Sequence, residues 1–102
     1  MLDKLTVDDF KPVVGERFAL DLDGTGSLDL ELAAARTYDA DAPAVDESGT
    51  RSPFLVQFRG PGDLILPQRI YRVDNETVGT LEIFLVPIGN DGSATTYEAV
   101  FA

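Results

Sequence analysis

Phe18-Ala19-Leu20-Asp21-Leu22-Asp23-Gly24-Thr25-Gly26-Ser27-Leu28-Asp29-Leu30-Glu31-Leu32-Ala33-Ala34-Ala35 reads as two β-strands joined by a glycine turn. Phe18, Leu20 and Leu22 alternate with Ala19, Asp21 and Asp23; after Gly24-Thr25-Gly26, Leu28, Leu30, Leu32 and Ala34 alternate with Asp29, Glu31, Ala33 and Ala35. A period of two belongs to a half-buried strand, because successive side chains point to opposite faces. Two such strands across a short turn form a hairpin with a shared leucine and phenylalanine face. On the other face, Asp21 and Asp23 are expected to lie across from Asp29 and Glu31.

The same period returns further along the chain. Phe54, Val56 and Phe58 follow Pro53, and Gly60-Pro61-Gly62-Asp63 supplies turn residues. Leu64-Ile65-Leu66-Pro67 leads into Ile70-Tyr71-Arg72-Val73. Asp74-Asn75-Glu76 turns toward Thr80-Leu81-Glu82-Ile83-Phe84-Leu85-Val86, and Gly89-Asn90-Asp91-Gly92 precedes Tyr97-Glu98-Ala99-Val100-Phe101. Upstream, Thr6-Val7-Asp8-Asp9-Phe10 has a capping threonine and two aspartates at the positive end of a helix dipole, while Pro12 and Gly15 keep the helix short. The expectation is a single β domain over 1–102, with a helix over about 6–12 and a long acidic loop over 38–52. Its class is mainly all-β: a six-stranded antiparallel barrel or sandwich with one short N-terminal helix.

The fifth strand is apolar on both faces, Leu81, Ile83 and Leu85 on one and Phe84 and Val86 on the other. Cover by the N-terminal helix is the expected fate of the second face. An interface with another subunit is the alternative.

Of 102 residues, 44% are apolar, eight are basic and eighteen acidic, for a net charge of −10. That length suits one domain of roughly 100 to 150 residues. With no histidine and no cysteine, the chain has no imidazole base, no thiolate nucleophile, no nitrogen or sulfur zinc site and no disulfide. A strongly acidic chain repels nucleic acid, whose binding draws on lysine and arginine. Met1-Leu2-Asp3-Lys4-Leu5-Thr6 lacks the basic and apolar segments of a secretory signal, and no run approaches the ~20 residues of a membrane span. The expected location is cytoplasmic or within a larger assembly, with no membrane contact.

Three groups of residues remain as candidate sites. Counted from Asp21, the residues Asp23, Thr25, Gly26 and Asp29 fall at the oxygen-donor and glycine positions of a calcium loop, so Asp21, Asp23, Thr25 and Asp29 are the metal candidates. Leu32 stands where that loop needs a bidentate glutamate, and the flanks alternate as strands, so the same residues also read as a plain hairpin. Paired carboxylates are the one acid–base arrangement the composition leaves, but the sequence shows no aromatic-lined cleft and has no tryptophan. Arg51, Arg59, Arg69 and Arg72 gather half of the basic residues in mid-chain, suited to an acidic partner or to the chain's own carboxylates. Phe84, Val86, Arg59, Arg69 and Arg72 are accordingly the candidate partner-binding residues. No cofactor and no enzymatic activity are expected.

Phe58-Arg59-Gly60-Pro61, Leu66-Pro67-Gln68-Arg69-Ile70-Tyr71-Arg72-Val73, Leu81–Gly89 and Tyr97–Phe101, with Leu5–Phe10 and Val14–Phe18, resemble a family of short uncharacterised bacterial proteins catalogued as a domain of unknown function. The resemblance spans nearly the whole chain except the acidic loop and brings no catalytic residues. It implies companions of phage-tail-like fibre or tail-collar proteins, and hence a noncatalytic structural or adaptor domain acting through a protein partner or as a homo-oligomer. A small module binding carbohydrate or calcium is the alternative.

Overall fold

A computed structural model describes residues 4–102. Six strands, β1 (Arg17–Asp21), β2 (Ser27–Thr37), β3 (Phe54–Pro61), β4 (Arg69–Asn75), β5 (Gly79–Asn90) and β6 (Ala94–Phe101), close into a barrel in the order β1-β2-β3-β6-β5-β4. Every neighbouring pair is antiparallel. Of the two expected architectures, the barrel is the one formed. The weakest seam joins β4 back to β1 through two residue pairs, Ala19 with Asp74 and Leu20 with Val73. The opening residues Met1 to Asp3, on which part of the signal-sequence reading fell, lie outside the described residues. Among the described residues, no helix is long and apolar enough to cross a membrane.

The helix, α1, covers Val7–Phe10 and continues as a 3₁₀ turn over Lys11–Val13, one residue beyond the expected end. Its start is held in both directions. The Asp8 N–H donates to Thr6 Oγ1 at 3.3 Å and the Thr6 N–H donates to Asp9 Oδ2 at 2.8 Å, which satisfies amides the helix leaves unpaired.

This helix stoppers one mouth of the barrel. Val7, Phe10 and Val13 are buried, and the Phe10 ring sits 5.8 Å from Phe54 and 5.6 Å from Phe101, themselves stacked at 4.6 Å. Burial of one such ring stabilises the fold by about 1.5–3 kcal/mol. Arg51 clamps the same end, donating from Nη1 to the Leu5 carbonyl at 2.8 Å and from Nη2 to the Ala102 carbonyl at 2.6 Å, with its guanidinium 5.7 Å from the Phe54 ring centre. The expected cover of Phe84 and Val86 by the helix is therefore corrected. An open mouth would expose aromatic rings from two strands, and α1 is used there.

The opposite mouth is crossed by residues 62–68, which carry the chain from β3 to β4 over the end of the barrel. Leu66 is buried, and its N–H donates to the hydroxyl of Tyr97 inside the barrel at 2.9 Å. Tyr71 donates to the Pro67 carbonyl and Asn90 Nδ2 to the Gly62 carbonyl. A side chain at position 62 has no room: a Cβ there would lie 2.6 Å from the Gly92 carbonyl oxygen.

Two further expectations are corrected by register. A bulge between Leu32 and Ala34 reverses the alternation of β2, so Ala35, not Ala34, packs toward the core, and Thr37 is buried after it; bulges of this kind are common where barrel walls curve. Asp21 stands opposite Ser27, Asp29 opposite Ala19 and Glu31 opposite Arg17, so the acids do not face one another. Within 38–52 the chain forms a small turn of its own, with Val45 bridged to Arg51 and Asp46 Oδ1 accepting from the amides of Ser48 and Thr50 at 2.9 Å each. At the turn end of the β4–β5 hairpin, buried Asn75 donates to Glu16 Oε1 and the Arg17 carbonyl and accepts from the amides of Thr77 and Val78.

Gly62→Ala is expected to destabilise the protein by about 1–3 kcal/mol in urea unfolding, the usual cost of overpacking. Gly89→Ala, where a Cβ meets nothing within 4 Å, should stay within about 0.5 kcal/mol. The Asp91 carboxylate accepts from the Ala94 N–H at 2.9 Å, the Ser93 hydroxyl at 2.8 Å and the Ser93 N–H at 2.9 Å, which holds its pKa at about 2 against an ordinary 3.8. A depressed carboxylate stabilises the folded state above its unfolded pKa and loses that contribution as pH falls through the folded value. Carbon-detected NMR should place the Asp91 midpoint near 2, and Asp91→Asn should flatten the acid limb of stability in that window.

Candidate functional site

Closing the barrel sends every second residue of each strand outward. On β5, Leu81, Ile83 and Leu85 fill the lumen and leave Phe84 on the outer wall. Ile70 of β4 pairs directly with Phe84, and the register of Val86 opposite Glu98 carries Phe84 alongside Val100 of β6. Ile70 is 61% exposed, Phe84 51% and Val100 56%. With Glu82 they line one shallow groove. In register the row continues to Leu55 of β3, which is buried, and then to Arg36 of β2. Three large apolar side chains side by side on an open wall are unusual where polar residues ordinarily face water.

A charged flank adjoins this row. Arg69 Nη2 lies 3.0 Å from the Asp23 carboxylate, and its guanidinium is 4.9 Å from the Tyr71 ring centre. Arg72 Nη1 is 4.0 Å from Asp21 and pairs in register with Glu82. Exposed ion pairs of this kind contribute about 0–1 kcal/mol. Their position is the informative feature, since both reach across the short β1–β4 seam. Burial pushes the Tyr71 phenol above its ordinary pKa, against the opposing pull of Arg69.

The structure thus brings together Phe84, Arg69 and Arg72 of the residues singled out from sequence. Val86 is half-buried beside Glu98, whose Oε2 accepts from Gln57 Nε2 at 3.1 Å. Arg59 stands apart on β3, between Glu31 and Thr96. Ile70 and Val100 were not among those residues. Ile70 adjoins Tyr71 and Val100 adjoins Phe101, so in each pair two apolar residues compete for the inward position, and the larger aromatic takes it.

The four metal candidates occupy different settings. Asp21 Oδ1 accepts from the Gly24 N–H, Asp23 pairs with Arg69, the Thr25 hydroxyl donates to the Leu22 carbonyl at 2.6 Å, and Asp29 lies 3.6 Å from Arg17. Among the described residues, no three acidic side chains converge as a cation would require. What the outer wall offers chemically is an apolar strip with charged residues at its rim.

The model of the family described as Domain of unknown function (DUF6916) matches residues 5–101. No curated protein and no solved structure matches the chain.

Because Phe84 packs on the outside, Phe84→Ser should cost less than about 1 kcal/mol, the scale of a cross-strand pair. Phe58→Ala, inside the lumen, should cost about 3–5 kcal/mol. Equal losses in chemical denaturation would place Phe84 in the core instead.

Proposed function

The chain belongs to the DUF6916 family, and we propose that it is a noncatalytic structural or adaptor domain that works through protein–protein contact. The outer wall of β4, β5 and β6 is its working surface, and the domain serves as an accessory component of a larger assembly, such as a phage-tail-like one. The observation that carries this reading is the in-register row Ile70–Phe84–Val100, solvent-exposed on a barrel whose own helix is committed to its mouth.

Energetics favour a contact role for this row. An exposed phenylalanine between two aliphatic side chains adds little to folding, yet its burial against a partner yields roughly 25 cal/mol for each Å² removed from water. Aromatic anchors of this kind dominate the affinity of protein interfaces. Barrel closure also limits the mode of contact, since strand edges paired along their length have no free backbone groups for strand addition and edge backbone is left unpaired where a ladder is short, as at the β1–β4 seam. The partner meets side chains.

A photo-reactive benzophenone residue placed at position 84 should form covalent adducts in the native cell, while the same residue at exposed Glu47 should form few. Equal labelling at the two positions, or no adduct at 84, would remove this reading.

A further inference from the structure

Register divides the barrel wall into two unequal parts. β5 serves its two neighbours with different halves of its length: Gly79–Leu85 pairs with β4, whereas the ladder to β6 runs from Val86 opposite Glu98 to Asn90 opposite Thr95. β4 and the first half of β5 therefore form a two-stranded ribbon. Among the described residues, its backbone ladder to the rest of the wall is two residue pairs, Leu20 with Val73 and Ala19 with Asp74. By contrast, eight pairs join β3 to β6, and β1, β2, β3 and β6 follow one another as a continuous sheet. A cavity of about 220 Å³ borders the ribbon on each side. One opens between Arg69–Arg72 and the carboxylates of Asp21 and Asp23, and the other reaches from Phe84 and Val100 down to Ile83, Ala99 and Phe101 of the lumen.

We infer that the ribbon Arg69–Leu85 is a flap, which swings open on the junction of Leu85 with Val86 while the sheet β1-β2-β3-β6 stays formed. Native proteins open in contiguous cooperative units at free energies below that of global unfolding, drawn from segments sparsely tied to the rest. The hinge is suited to bending, since the β5–β6 ladder shifts register between Pro87 and Gly89 just beyond it and Pro87 has no amide to donate. At its other end the flap leaves behind the 62–68 connection, held to β6 by the Leu66 N–H on the Tyr97 hydroxyl. Side chains latch the flap where the backbone does not. Buried Asn75 donates across the seam to the Arg17 carbonyl at 3.0 Å and to Glu16 Oε1 at 3.2 Å, while Arg69 and Arg72 reach Asp23 and Asp21. Tyr71, Val73, Leu81, Ile83 and Leu85 of the flap are buried in the lumen, which keeps the closed form dominant and the open one a minor population. Opening exposes that inner face. It also parts Ile70 and Phe84, which ride on the flap, from Val100, which stays on β6.

Native-state hydrogen exchange of the intact chain by NMR, in the regime where rates report the opening equilibrium, tests this. Hydrogen-bonded amides of Arg69–Asn75 and Gly79–Leu85 are expected to exchange as a group, with protection at least roughly tenfold lower than in β3 and β6. Bonds inside the ribbon are lost with it, because a detached two-stranded hairpin is marginal in water. Two substitutions separate flap opening from global unfolding. Phe10 packs on Phe54 and Phe101, outside the flap, so its contacts survive in the open form. Phe10→Leu should therefore speed β3 and β6 by roughly tenfold, the scale of a core truncation, and leave the flap within about twofold of wild type. Asn75→Ala removes a latch that the open flap and the unfolded chain both lack, so it should speed the flap and the rest alike by roughly tenfold. Flap amides as well protected as those of β3 and β6 overturn the inference, and so do flap amides that Phe10→Leu speeds as much as it speeds β3 and β6. An Asn75→Ala flap exchanging at the wild-type rate also overturns it; if that variant does not fold, wild type and Phe10→Leu decide between the outcomes.

Discussion

Phe10, seated against the stacked rings of Phe54 and Phe101, is the contact on which the remaining structure depends. A closed barrel solves the problem of strand edges but leaves two mouths through which the lumen meets water. A domain of 102 residues has little chain to spare for both. It uses α1 at one mouth and the connection between β3 and β4 at the other. Tyr97, which accepts the Leu66 amide from inside the barrel, ties the second stopper to the core as Arg51 ties the first.

That division of labour has a consequence for the outer wall. A helix laid across β5 would have hidden Phe84, and the mouth above Phe54 and Phe101 would then have stayed open. Since the helix serves the mouth, the wall of β4, β5 and β6 has no cover from α1. Folding stability is thus concentrated in the lumen, and under the contact role proposed above the wall is free to serve association without cost to the barrel.

Much of the architecture is legible in the sequence because period-two patterning and turn chemistry are local. The β1–β2 hairpin and the short capped helix follow from neighbouring residues, and turns fall near those expected after Phe58, Val73 and Val86, although β3, β4 and β5 run on through Pro61, Asn75 and Asn90. Three features are not local. The bulge after Leu32 answers the curvature of the closed wall, and nothing in Ala33-Ala34-Ala35 marks which alanine points inward. The helix's destination depends on where Phe54 and Phe101 meet, 47 residues apart in the chain. Of the exposed row, Phe84 is visible from sequence because its strand is apolar on both faces. Ile70 and Val100 become visible only once register sets each beside its neighbour and the adjoining aromatic claims the interior.

Side-chain NOE spectroscopy on a dilute sample reports whether the helix closes the barrel mouth and leaves the β5 wall bare. Cross-peaks from the Phe10 ring to the rings of Phe54 and Phe101 are expected, with none from Val7, Phe10 or Val13 to Phe84 or Ile70. Cross-peaks joining the helix to Phe84 would contradict the account, because the apolar wall would then be covered by its own chain and would present no contact surface.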